Sequence, residues 1–183
     1  IKPLIGGALL LTAPAISHAS VMYSLVDLGT LDTSVNFSEA SDINNNGTLT
    51  GYSYSNYAQT PFYYSESNGM QAFSGINGNV TAINDNGVAA GMGSNAFVTD
   101  TNGNATTLNP LNGGFVQTVS DINNSGVVVG ASTDAAYNMR ATSWDAATGT
   151  ATDLGSLDDA TADPYASSQA NAVNSNGQIV GSS

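Results

Sequence analysis

The chain has 183 residues, no cysteine, and 14 carboxylates against two cationic side chains, Lys2 and Arg140, for a formal charge of −12. Without cysteine there is no disulfide framework and no thiolate metal site, and so few cations leave nothing to hold nucleic-acid phosphates or anionic lipid. Charged residues are only 9% of the chain while apolar ones are 41%, a balance that points to a polar, Gly- and Asn-rich all-β protein rather than a disordered one.

Residues 1–19 read as a secretory signal. Lys2 supplies a positive start, Leu4 to Thr12 a short apolar run, and Ser17-His18-Ala19 the small residues of a cleavage site. The run is too short to cross a bilayer. The reading predicts a signal peptide at 1–19 and a β-repeat domain at 20–183. The lone histidine, His18, falls in the signal. The mature chain therefore lacks the base of a Ser-His-Asp or Cys-His site and the ligand of a histidine-based zinc site.

Tyr23 to Leu31 follows as an expected strand that ends in Asp27-Leu28-Gly29-Thr30-Leu31. The same ending returns at Asp153-Leu154-Gly155-Ser156-Leu157, and a degenerate form at Thr107-Leu108-Asn109-Pro110-Leu111. Next comes the first of four related stretches, at 42–51, 82–91, 121–130 and 172–181. The third is Asp121-Ile122-Asn123-Asn124-Ser125-Gly126-Val127-Val128-Val129-Gly130. Each has a branched apolar residue, an Asn-rich turn closed by Gly, a short strand and a second Gly. Asn bonds nearby backbone through its side chain, and Gly reaches positive φ without steric cost. The motif thus predicts a turn that delivers the chain into a strand. Ile43, Ile83, Ile122 and Val173 before the Asn, and Leu49, Ala89, Val128 and Ile179 after the turn, are expected to face a core.

An aromatic strand and a second Gly turn lie between the motifs, as in Phe62-Tyr63-Tyr64 before Ser67-Asn68-Gly69. Each unit should hold about three short strands, with room for a fourth. The turn glycines Gly47, Gly87, Gly126 and Gly177 stand 40, 39 and 51 residues apart. A period near 40 with several strands is that of a propeller blade, with a β-solenoid as the alternative. The extra residues of the third unit are assigned to a loop at 158–166. Three units and a remnant are too few to close a ring, so the expectation is an incomplete propeller-like arc, truncated at its C-terminal end.

These motifs resemble the HAF family of bacterial extracellular repeats, whose units join Asp-Leu-Gly-x-Leu, an Ile-Asn-x-x-Gly turn and a His-Ala-Phe-like triplet. The first two parts match over nearly all of residues 23–183. The triplet departs: Asn95-Ala96-Phe97 keeps two residues, Thr60-Pro61-Phe62 and Arg140-Ala141-Thr142 one each. The resemblance implies a secreted or cell-surface β-repeat protein and no defined reaction.

Site chemistry is sparse. Asp42, Asn44 and Asn46, and again Asp121, Asn123 and Ser125, put oxygens at positions 1, 3 and 5 of a calcium-type loop, ahead of Gly47 and Gly126. Such a loop needs Glu at position 12. Ser53 and Ser132 stand there, and two copies begin with Ala82 and Ala172, which favours a plain Asx turn. Paired carboxylates for glycoside cleavage are not recommended by spacing, Glu39 and Glu66 included. Tyr52, Tyr54, Tyr57, Tyr63 and Tyr64 form a cluster that suits a sugar or peptide, or fills the space between sheets. The sequence therefore points to a non-catalytic extracellular binding or scaffolding protein with an unknown polysaccharide or protein ligand, without catalytic residues or cofactor. The alternatives are a secreted polysaccharide hydrolase whose catalytic part lies elsewhere, and a calcium-stabilised adhesin module.

Overall fold

The structure is a computed structural model that describes residues 25–55, 58–73, 75–157 and 166–183. The expected signal at 1–19, Tyr57 and nearly all of the loop at 158–166 lie outside the described residues.

Every regular element among the described residues is a strand. The first sheet contains β1 (Ser38–Ile43), β2 (Leu49–Ser55), β3 (Ala58–Ser65) and β4 (Gly69–Ala72). The second contains β5 (Asn79–Ile83), β6 (Ala89–Met92), β7 (Ala96–Thr99) and β8 (Ala105–Thr107). The third contains β9 (Val116–Ile122), β10 (Val127–Thr133), β11 (Met139–Asp145) and β12 (Ala151–Gly155). The last is a pair, β13 (Gln169–Val173) and β14 (Ile179–Ser182). Strands pair in chain order and antiparallel within each sheet, and never between sheets. A solenoid would pair equivalent strands of successive coils, so the units are propeller-like blades; the first three have four strands, using the room the sequence left for a fourth, and the last shows two among the described residues.

The four turn motifs hold one conformation. In the first, the Asn44 N–H donates to the Thr48 carbonyl, and Asn44 Oδ1 accepts the N–H groups of Asn46 and Thr48. The same bonds recur about Asn84, Asn123 and Asn174. The closing glycines have φ of 76°, 76°, 81° and 77°, the left-handed region that other residues enter at a cost. Past each turn the register repeats, pairing Ile43 with Leu49, Ile83 with Ala89, Ile122 with Val128 and Val173 with Ile179.

A β-bulge then bends the first strand of every blade, and the second glycine of the motif sits against it. A Cβ on Gly51, Gly91, Gly130 or Gly181 would overlap the carbonyl oxygen of Glu39, Asn79, Thr118 or Gln169 respectively. This glycine recurs because the bulge brings a backbone too close for any side chain.

Blades pack through their first strands. β5 lies on β1 and β2, β9 on β5 and β6, and β13 on β9 and β10. The core is thus a series of junctions. Phe73, Val80, Ile83, Ala89 and Phe97 close the first. Leu108, Val119, Ile122, Val128 and Trp144 close the second with Ala82, Ala90 and Val98. Val129, Ala141, Ala170 and Val173 begin the third. Each fully buried Val, Leu or Phe contributes about 1.5–3 kcal/mol.

Two expectations need correction. Ile83, Ile122 and Val173 are buried, but Ile43 is 59% exposed. This residue packs on the preceding blade, and among the described residues no blade stands before the first. Residues 25–31 form no strand, and Leu25 and Val26 are exposed. Their repeat equivalents in β12 pair with β11. Among the described residues no strand pairs with residues 25–29, and an unpaired strand gains nothing from its extended backbone.

Candidate functional site

The feature the repeats build together is a ladder of Asn turns along one face of the arc. Asn44 Nδ2 donates to the Asn84 carbonyl, Asn84 Nδ2 to the Asn123 carbonyl, and Asn123 Nδ2 to the Asn174 carbonyl, each at 3.0 Å. Asn44, Asn84 and Asn123 are buried, so each side chain closes its own turn with its oxygen and ties the next blade with its nitrogen. Asn174 is exposed and turns its amide to Gln178 Oε1 instead.

The acidic residue two places earlier supports the same junctions. Asp42 accepts the N–H of Ile43 on one oxygen and that of Ile83, in the next blade, on the other, both at 2.8 Å. Asp121 does the same with Ile122 and Val173. At the middle junction Ala82 cannot, and Thr81 Oγ1 donates across to the Val119 carbonyl. The oxygens of Asp42, Asn44, Asp121 and Asn123 therefore face backbone N–H donors rather than one another. Asn46 donates its amide to the Asp85 carbonyl, and Ser125 its N–H to Asn123 Oδ1. Among the described residues no group of three or more His, Cys, Asp or Glu side chains converges on a point.

Sequence reasoning missed Asp85, which sits one place beyond Asn84. It accepts both the N–H and the amide of Asn45 in the blade before. It also accepts the amide of Asn124 in the blade after, and its own N–H returns a bond to Asn124 Oδ1. The Asn45 amide first, then the Asn124 amide and the Asn45 N–H, hold its carboxyl below the usual aspartate value. Asp100 is likewise lowered by the Asn104 amide and N–H, but within its own turn.

A second missed role belongs to the serine at loop position 12. Ser53 and Ser132 accept the backbone N–H of Leu31 and Leu111, and Ser183 that of Leu157. These leucines end the Asp-Leu-Gly-x-Leu segment or its degenerate form, which is thus strapped to the blade that follows it. The signal was present in the sequence as a serine two residues past the strand glycine in three copies, with Gly93 in the fourth.

The aromatic cluster divides. Tyr63 packs on Phe73 at 5.2 Å between ring centres and belongs to a junction. Exposed Phe37 and half-buried Tyr52 and Tyr54 form a patch on the first blade, with ring centres 5.6–6.1 Å apart. Glu39 accepts the Tyr52 hydroxyl at 2.9 Å, which raises the phenol above its ordinary pKa. Tyr64 is half-buried in β3. Glu39 and Glu66 are not brought together: one lies in β1, the other in the β3–β4 turn, with β2 and β3 between. Compared with known proteins, no family model matches the chain, no curated protein matches it, and no solved structure matches it.

Proposed function

We propose that the protein is a non-catalytic repeat protein of the HAF type, secreted or held at the cell surface, that binds or scaffolds outside the cell. The observation that carries this reading is the employment of the polar turn residues. Asn44, Asn84, Asn123, Asp42, Asp85 and Asp121 are engaged in holding blades together. A catalytic constellation needs a nucleophile or base held toward an open cleft, with a partner that orients it. The ladder instead resembles the nearest-neighbour coupling of other repeat scaffolds. The Phe37, Tyr52 and Tyr54 patch, bordered by Glu39 and Gln59, gives such a scaffold a face suited to the apolar side of a sugar ring.

The test is incubation of the purified chain with a panel of extracellular polysaccharides, with both retention in affinity electrophoresis and release of reducing ends measured. The expected result is retention of at least one polymer, weakened by Tyr54→Ala, with no new reducing ends. Release of reducing ends by the pure chain would replace this reading with that of a hydrolase.

A further inference from the structure

The first three blades do not stand equally tall at the end opposite the Asn turns. β2 runs four residues past its strand glycine, Gly51, and β10 three past Gly130, but β6 stops one past Gly91. At about 3.4 Å per residue the two flanking hairpins rise roughly 7–10 Å above the middle one. The middle hairpin turns back at once, with the Gly93 N–H donating to the Asn95 carbonyl. Its floor is kept bare, because a Cβ on Gly78 or Gly93 would overlap the carbonyl oxygen of Met92 or Asn77 respectively. Hollows of about 440 and 320 Å³ flank this short hairpin and share Met92, Gly93 and Ser94 in their walls, so they form one trough across the second blade. Tyr54 of the first blade lines one end and Phe115 of the third lines the other.

Both rims are aromatic. Phe37 and Phe115 hold the same place in their blades, each accepting on its carbonyl the N–H of the residue three past the strand glycine, Tyr54 or Thr133. Phe37 lies 5.6 Å from Tyr54 between ring centres, and Phe115 lies 6.3 Å from Tyr137. Tyr137 is 76% exposed and has a φ of 66°, the left-handed region that a residue with a bulky side chain enters at a cost. Burial does not offset that cost here, and strain of this kind persists where a site uses it. None of the described residues that line the trough is charged. The charges at its rims are carboxylates: Glu39, bonded to Tyr52, and Asp134, which accepts the N–H groups of Ala136 and Asn138 in the turn that carries Tyr137. Arg140, the one cationic side chain among the described residues, is paired with Asp153 at 3.2 Å.

We propose that this trough is a ligand site and that it takes an uncharged polysaccharide laid across the second blade, with one sugar ring against Tyr54 and another against Phe115 and Tyr137. A sugar ring has C–H faces that stack on aromatic side chains and hydroxyls that need polar partners. Asn77, Ser94 and Asn95, all exposed, supply such partners along the floor. An anionic polymer meets carboxylates at both rims and finds no unpaired cationic side chain among the described residues. An extended peptide finds no strand edge to join, because β2, β6 and β10 are each paired on both sides. This rests on the binding role proposed above, and it names the ligand class and a second contact surface on the third blade.

The probes are hydroxyethylcellulose, galactomannan and laminarin as uncharged polymers, with polygalacturonate as the anionic counterpart, each cast in a native gel and run with the full chain. Retention by at least one uncharged polymer, and none by polygalacturonate, is expected. Phe115→Ala and Tyr137→Gly should each weaken retention about tenfold. Tyr137→Gly also relieves the left-handed backbone, so its Tm should not fall; binding lost at undiminished stability is a result that a merely structural tyrosine would not give. Ser94→Leu stands a branched side chain on the floor and should block retention, whereas Ala147→Leu, at an exposed site in the β11–β12 turn, should leave it unchanged. Retention indifferent to the Phe115, Tyr137 and Ser94 changes would overturn the proposal, as would equal retention by polygalacturonate or no retention by any uncharged polymer. Sedimentation showing a dimer that Tyr137→Gly abolishes would assign the rings to a second copy of the chain and overturn it too. Retention that Tyr54→Ala weakens but the third-blade changes do not would sink the trough and leave the binding role standing. Release of reducing ends decides the non-catalytic reading separately.

Discussion

Replacing Asn84 with alanine tests whether the ladder holds the blades together. Three hydrogen bonds would be lost: from the N–H groups of Asn86 and Val88 to Oδ1, and from Nδ2 to the Asn123 carbonyl. A typical bond contributes about 0.5–1.5 kcal/mol net, more where its partner is left buried and unpaired, so the cost is about 3 kcal/mol. For a chain of this size that lowers Tm by about 6–12 °C. Asn174→Ala serves as the control, because it removes the same turn bonds at a site that is exposed and whose Nδ2 bonds within its own turn, to Gln178, rather than to another blade. Its cost should be about 1 kcal/mol or less, since water replaces the lost partners. Asn84→Asp separates the two roles. It keeps the acceptor for the turn and sets a carboxylate against the Asn123 carbonyl. Repulsion and burial raise that carboxyl's folded-state pKa above its unfolded value. The variant should therefore regain stability as pH falls and lose it as pH rises through that pKa. Urea and thermal melts of the four proteins between pH 4 and 8 provide the measurement. Equal losses from Asn84→Ala and Asn174→Ala would show that the ladder contributes nothing beyond the local turn, and would refute the reasoning.

Gly130→Ala and Gly47→Ala should differ in kind. The first drives a Cβ into the Thr118 carbonyl at the bulge and should cost several-fold more than the second, which meets no atom and bears only the left-handed φ penalty of about 1–2 kcal/mol. Thermal melts compare them directly. The Asp85 carboxyl is held below its ordinary value, so its contribution is present above the unfolded pKa and is lost as pH falls through the folded one. Acid melts should show a steeper loss of stability below about pH 4 in the natural protein than in Asp85→Asn. Calcium or EDTA should leave Tm unchanged, because Asp42, Asn44, Asp121 and Asn123 already accept backbone N–H groups. A rise in Tm with calcium would show that these turns hold a cation.

The four turns were legible in the residues because their causes lie within five positions of the chain: an Asn oxygen, two N–H groups and a glycine at positive φ. The period near 40, the pairing of Ile43 with Leu49 and its three equivalents, and the all-β class follow from repeating that local unit. What lies beyond a unit was decided only in the tertiary structure. The isoleucine, the Asn that follows it and the closing glycine read alike at Ile43 and Ile83, yet one isoleucine is exposed and the other buried, because burial depends on the blade standing before each. Residues 25–29 read like β12 and still form no strand, because no strand among the described residues pairs with them. Asn44 and Asn84, Asp42 and Ile83, and Asp85 and Asn124 stand 40, 41 and 39 residues apart. Their bonds exist only once successive sheets lie side by side, since a hydrogen bond depends on distance in space and the sequence states only distance along the chain.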